Sequence, residues 1–135
     1  MALAGLEATL QLYRDPDSAL KEIPVLAMLA ATPEALRKRA EAVATTLVAA
    51  GVTCEAVAMS SVVGGGTFPG VEIESCGVRV GSGEGGTDAL AARLRSASVP
   101  LVGRVEDGSL WVDFRTVLPW QDAGVVDSLT RHVGP

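Results

Sequence analysis

Gly64-Gly65-Gly66-Thr67, Arg104 and Arg115 are the residues of this chain best suited to chemistry, and the chemistry they suit is the binding of an anion. Three consecutive glycines let a main chain approach a ligand closely, and successive N–H groups in such a turn favour negative charge. No Gly-Lys-Ser/Thr follows, so this is no Walker loop, and no helix opens directly after it, so it is no dinucleotide fingerprint. The loop is either an anion cradle or a plain flexible connection between two strands. Arginine presents a planar, bidentate fork to carboxylates and phosphates. Arg104 lies between Val102 and Val105 and Arg115 between Phe114 and Val117, so each sits where a strand end can aim it into a cleft. The other assignment for both is pairing with Glu106, Asp107 or Asp113 inside the same domain.

Other chemistries find no support. His132 is the single histidine and falls near the end of the last helix, where a cation is mildly favourable for helix-dipole reasons alone. Ser60, Ser61 and Ser75 lack a Gly-x-Ser-x-Gly elbow or any comparable activating context. Metal-ligand spacing is absent. Cys54 and Cys76 are too far apart in sequence for a CxxC pair and read as two small buried thiols in a reduced, cytoplasmic setting. The net charge of −5, from 11 basic and 16 acidic residues, excludes a protein that coats a phosphate backbone, DNA above all. Trp111 and Trp120 read as core and interface residues, since no basic and aromatic residues interleave around them.

With 135 residues, 48% of them hydrophobic and 20% charged, the chain can bury about two-thirds of its unfolded surface without disulfides or metals. No run of about 18 apolar residues occurs and no leader-like core opens the chain, so neither membrane insertion nor export is expected.

The elements that must hold these residues are legible from periodicity. Leu3, Leu6, Leu10 and Tyr13 line one face of a helix over 2–14 that Pro16 ends, and Asp15 caps a short turn over 18–22. Residues 23–29 are apolar on every side and must pack on something. Thr32-Pro33-Glu34 is a strong helix start; that helix runs to Ala50 and stops at Gly51, burying Leu36, Ala40, Val43, Ala44, Leu47 and Val48, with Arg37, Lys38 and Arg39 on a solvated face. Strands are expected over 52–59, 76–80, 101–105 and 110–114, the last two joined by a tight Asp107-Gly108 turn. Thr87 or Asp88 caps a helix through Leu90, Leu94 and Ala97, and a last helix after Pro119 carries Val125, Val126, Leu129 and Val133. The order defines an α+β fold: a small, mostly antiparallel four-stranded sheet covered by helices, preceded by an N-terminal helical segment.

Four ordered blocks carry a family likeness. They are Leu6-Glu7-Ala8-Thr9-Leu10 with Leu12-Tyr13 and Asp15-Pro16; Ile23-Pro24 with Met28-Leu29; the stretch from Ser60 to Pro69; and Val102-Gly103-Arg104-Val105-Glu106-Asp107-Gly108 running on to Pro119. Together they resemble the C-terminal domain of bacterial selenocysteine synthases, the L-seryl-tRNA(Sec) selenium transferases, which belong to the aminotransferase-like enzymes that use pyridoxal phosphate. The resemblance covers nearly the whole chain. It departs from the usual pattern at Phe68 to Ser75 and at Val99-Pro100, where a proline-bearing loop and paired prolines are more usual.

The resemblance implies that residues 1–31 are a helical connector from a large catalytic domain and residues 32–135 a C-terminal small domain like that of fold-type-I pyridoxal phosphate enzymes. The full-length parent would use pyridoxal phosphate, take seryl-tRNA(Sec) and selenophosphate as substrates, release selenocysteinyl-tRNA(Sec) and form a homo-oligomer. This chain alone would be inactive and bind no cofactor, because Lys21 and Lys38 stand in nothing like a cofactor-lysine motif. The glycine loop would look toward the cofactor cleft, and Arg104 and Arg115 would position an anionic part of the substrate. Two further readings stay open: the small domain of a related lyase that acts on small amino compounds without tRNA, and a non-catalytic interaction module.

Overall fold

A computed structural model describes residues 2–63, 70–82 and 85–133. The chain divides into two compact units, Met1–Ala31 and Thr32–Pro135.

The first unit holds three helices, α1 (Ala2–Leu12), α2 (Pro16–Glu22) and α3 (Pro24–Ala30). Proline starts both short helices, where its missing N–H is no loss. Asp15 caps α2 by accepting from the Asp17 amide at 3.2 Å and the Ser18 hydroxyl at 2.6 Å. The apolar stretch after Ile23, expected only as sticky connecting chain, is the helix α3, because Pro24 opens a turn that no later residue breaks. The stripe of α1 is present but uncovered: Leu3, Leu6, Leu10 and Tyr13 are all exposed.

The second unit packs three helices and a 3-10 turn around a four-stranded sheet. Helix α4 (Pro33–Ala49) begins where expected, with Thr32 Oγ accepting from the Ala35 amide at 3.3 Å and Pro33 in the first position. It ends at Gly51, whose φ of 85° only glycine adopts readily. Leu36, Ala40, Val43, Ala44 and Leu47 form its buried stripe, while Val48 falls outside it and is exposed. Removing the cap by Thr32→Ala is expected to lower stability by about 1 kcal/mol in urea unfolding, without changing the slope of the transition.

Strands β1 (Cys54–Val62), β2 (Glu72–Val80), β3 (Arg104–Glu106) and β4 (Ser109–Asp113) lie in the order β1-β2-β4-β3, every neighbour antiparallel. The β3–β4 turn holds Asp107 at φ 49° and Gly108 at φ 69°, the pair of positive angles a two-residue hairpin needs. Register divides the sheet into two faces. Cys76, Val78, Val80, Leu110 and Val112 are buried on one, against α4 and α5 (Thr87–Arg95). Glu55, Met59, Arg79, Trp111 and Asp113 lie on the other, none of them buried, with the Arg79 guanidinium 5.6 Å from the Trp111 ring centre.

Helix α6 (Asp122–Val133) follows a 3-10 turn at Pro119–Gln121 and packs on α4 and α5, closing a core around Phe114, Leu36, Leu94 and Leu129. Thr87 does not cap α5 as expected: Gly86 holds that position, and Thr87 instead donates its hydroxyl to the Gly108 carbonyl at 2.5 Å, fastening the helix to the hairpin turn.

Candidate functional site

On the sheet face away from the helices, side chains of β1 and β2 converge on a carboxylate of β4. Asp113, the last residue of β4, pairs with Gly77 of β2, which places its side chain on the open face beside Ser75 and Ser61. Its Oδ1 accepts from the Ser75 hydroxyl at 2.6 Å and from the Arg115 amide at 2.9 Å, and its Oδ2 accepts from the Ser61 hydroxyl. Ser61, Ser75 and Arg115 are buried, at 7%, 4% and 5% exposure. A carboxylate accepting several donors holds them as one rigid group.

Arg115 follows directly. Its Nη2 donates to the Glu74 carbonyl at 2.6 Å, so the side chain runs along β2. Arg104 is placed otherwise. It lies on β3 opposite Trp111, and its Nε stands 3.0 Å from Glu106, both side chains about half exposed at 51%. An ion pair so open to water is worth little, about 0–1 kcal/mol. A pocket of about 290 Å³ opens beside it, lined by Met59, Val102, Gly103, Arg104, Trp111, Asp113 and Thr116. The structure thus puts Arg104 and Asp113 on one pocket and ties Arg115 to the same Asp113. Gly64, Gly65, Gly66 and Thr67 lie outside the described residues.

Ser61 and Ser75 give their protons to Asp113, and His132 is on α6 with its Nδ1 2.8 Å from the Ser128 carbonyl. Among the described residues no cluster of His, Cys, Asp or Glu could hold a metal ion. Cys54 and Cys76 are both free, and burial pushes each thiol above its usual pKa, so neither is a ready nucleophile. Cys76 pairs with Ala58, four positions along β1 from Cys54, roughly 13 Å away and out of disulfide reach.

Asp113, Ser61 and Ser75 are the residues that sequence reasoning missed as a group. Asp113 entered only as one possible partner for an arginine. The sequence shows only that Ser61 and Ser75 flank the glycine loop and that Asp113 precedes Arg115 by two residues; the β1–β2 and β2–β4 registers are both needed to bring them together.

Fold and site together define an α+β domain whose open sheet face carries a small pocket beside Arg104 and Asp113. A family model described as L-seryl-tRNA selenium transferase matches residues 1–118. Curated relatives of the same description include those of Moorella thermoacetica, 39% identical over 134 residues, and Solidesulfovibrio magneticus, 43% identical over 122 residues. The relative from Hyphomonas neptunium is 36% identical over 132 residues. These matches cover 97%, 87% and 97% of this chain but only 28%, 26% and 28% of the relatives. The chain belongs to the L-seryl-tRNA selenium transferase family and spans little more than a quarter of the length of these relatives.

Proposed function

We propose that this chain is the C-terminal part of a pyridoxal phosphate-dependent selenium transferase of the cytoplasm. The full-length enzyme would convert L-seryl-tRNA(Sec) to L-selenocysteinyl-tRNA(Sec) with selenophosphate. Residues 1–31 are the connector from the large domain, and residues 32–135 the small domain that closes one wall of the active-site cleft and helps build a homo-oligomer. The observation that carries the reading is the match to the transferases along nearly the whole chain, at 39% identity over 134 residues.

The residues present do not make a pyridoxal phosphate site. The cofactor needs a lysine amine at its reactive carbon, and it supplies the electron-sink chemistry wherever that lysine holds it. Lys38 is exposed on α4, which covers the opposite face of the sheet from Asp113, and it lines a groove with Asp122 and Asp127. Lys21 is exposed on α2, in the other unit. The cofactor is therefore assigned to the rest of the polypeptide. This chain's part is to bring Arg104, Arg115 and the glycine loop 64–67 to an anionic portion of the substrate.

The net charge of −5 supports few and local contacts to tRNA rather than a broad basic surface. No helix of the described residues is long and apolar enough to cross a membrane.

The test is formation of selenocysteinyl-tRNA(Sec) from seryl-tRNA(Sec), selenophosphate and pyridoxal phosphate by the full-length enzyme, with the 135-residue chain assayed beside it. Turnover by the full-length enzyme and none by the chain is the expected result. A folded, cofactor-loaded enzyme that leaves seryl-tRNA untouched but acts on free amino compounds would replace this reading with the tRNA-independent lyase.

A further inference from the structure

Along the sequence Trp111 has no basic neighbour, but across the sheet it has two. It stands opposite Arg79 in the β2–β4 register and opposite Arg104 in the β3–β4 register. Directly opposed residues of adjacent strands point to one face, so the three side chains form a row on the side away from the helices. The Arg79 guanidinium carbon lies 5.6 Å from the indole ring centre, and the indole Nε1 donates to the Glu106 carbonyl at 3.1 Å, which fixes the tilt of the ring. All three side chains reach solvent: Trp111 is half-buried, and Arg79 and Arg104 are 43% and 51% exposed. Trp111 and Arg104 share the 290 Å³ pocket, room enough for one nucleobase, while Arg79 lies outside it, behind the indole.

Charge decides what such a row can hold. Arg79 is paired with Glu55 and Arg104 with Glu106, and Asp113 lines the same pocket, so three carboxylates stand among two guanidinium groups. A duplex backbone needs a broad positive field, which this face lacks. An unpaired base needs an aromatic plane and a cation for the adjoining phosphate, and Trp111 with Arg104 offers both.

We propose that Trp111 is a stacking platform for an unpaired nucleotide at the serine-bearing end of the tRNA substrate, with Arg104 on the adjoining phosphate and Arg79 backing the indole. This rests on the functional reading above, in which serine arrives on a single-stranded CCA end and this domain walls the active-site cleft.

The experiment uses tryptophan fluorescence. The chain has two tryptophans, and Trp120 is 73% exposed, so Trp120→Phe leaves Trp111 as the sole reporter at little cost to the fold. The 135-residue chain with that substitution is titrated with the RNA trinucleotide 5′-CCA-3′. Saturable quenching is expected, with affinity falling about threefold between roughly 50 and 200 mM salt, as one phosphate contact requires. Arg104→Ser is expected to remove that salt dependence. A blunt RNA duplex is expected to leave the fluorescence unchanged, and AMP to bind more weakly than the trinucleotide. Absence of quenching by the trinucleotide overturns the proposal. So does a duplex that quenches equally, or AMP that binds as tightly, which would assign the pocket to a free nucleotide.

In the full-length enzyme Trp111→Leu is expected to raise KM for seryl-tRNA about tenfold with kcat nearly unchanged, and Trp111→Phe, which keeps an aromatic plane, to recover most of the loss. A wild-type KM in Trp111→Leu, or a loss confined to kcat, overturns the stacking role. A wild-type enzyme that leaves seryl-tRNA untouched overturns the functional reading instead, and the trinucleotide titration of the separate chain is read independently of it.

Discussion

Replacing Arg39 by alanine is expected to destabilise the second unit by about 3 kcal/mol, the largest effect of any single charged residue in it. The guanidinium makes a bidentate pair with Asp122 at 3.0 and 2.6 Å and donates to the Phe114 and Val117 carbonyls at 3.3 and 2.7 Å. Its carbon also stands 5.3 Å from the Phe114 ring centre. One side chain of α4 therefore holds the end of β4, the turn after it and the first residue of α6. Arg39 and Asp122 are only 20% and 26% exposed, so solvent screens the pair weakly, and removing the arginine strands one carboxylate and two carbonyls. Lysine keeps the charge but not the fork, and Arg39→Lys is expected to recover less than half of the loss. Urea unfolding of the two variants checks both statements; equal stability of Arg39→Ala and wild type would remove this residue from the account of the fold.

Gly77→Ala is expected to do comparable damage by the opposite route, adding an atom where none fits. A Cβ at Gly77 would press into the Val112 carbonyl oxygen and come within 2.7 Å of Met59 Cε. The methionine end can swing away, but the carbonyl belongs to the neighbouring strand. The β2–β4 pairing must part to admit the methyl group, at about 3 kcal/mol, or roughly 15 °C in Tm. The control is Gly124→Ala on the exposed side of α6, where a Cβ meets nothing within 4 Å. There alanine is expected to stabilise by about 0.5 kcal/mol, because it lowers the entropy of the unfolded chain. Thermal unfolding that gave both variants the same Tm would contradict the packing argument.

Where sequence reading succeeded, a local signal and the tertiary environment asked for the same thing. Thr32-Pro33 starts a helix in any context, and Asp107-Gly108 closes a hairpin in any context, and both do so here. It fell short where long-range partners decided. The strands β1 and β2 run on to Val62 and from Glu72, past the limits of 59 and 76 expected from alternation, because polar residues are satisfied across the ladder: Ser60 donates to Glu72 at 2.8 Å, and Ser61 and Ser75 to Asp113. Strand β3 starts at Arg104 rather than 101, because the Leu101 amide is taken by the Leu94 carbonyl at the end of α5.

Arg39 is the most instructive miss. Read within Arg37-Lys38-Arg39, it belongs to a solvated face. Position 39 nevertheless lies three residues after Leu36 and four before Val43, on the border of the buried stripe, and its true partners are 75 to 83 residues away. Of the candidate site, the arginines were legible from their type and place at strand ends. The carboxylate that organises one of them was not, since only the register of three strands brings Ser61, Ser75 and Asp113 together.

The strand order β1-β2-β4-β3 leaves the sheet with two edges of very different character. On one side β3 offers three residues, Arg104, Val105 and Glu106, two of them charged, which is a poor template for another chain. On the other, β1 offers nine residues with a central Ala56-Val57-Ala58-Met59 run and a single charge, Glu55. By length and composition it is the edge better suited to pairing with another strand. A lysine at Val57 would blunt it with little effect on the interior, since Val57 is on the face opposite the core. Turbidity of this chain is therefore expected to rise with protein concentration, and light scattering of wild type beside Val57→Lys checks it.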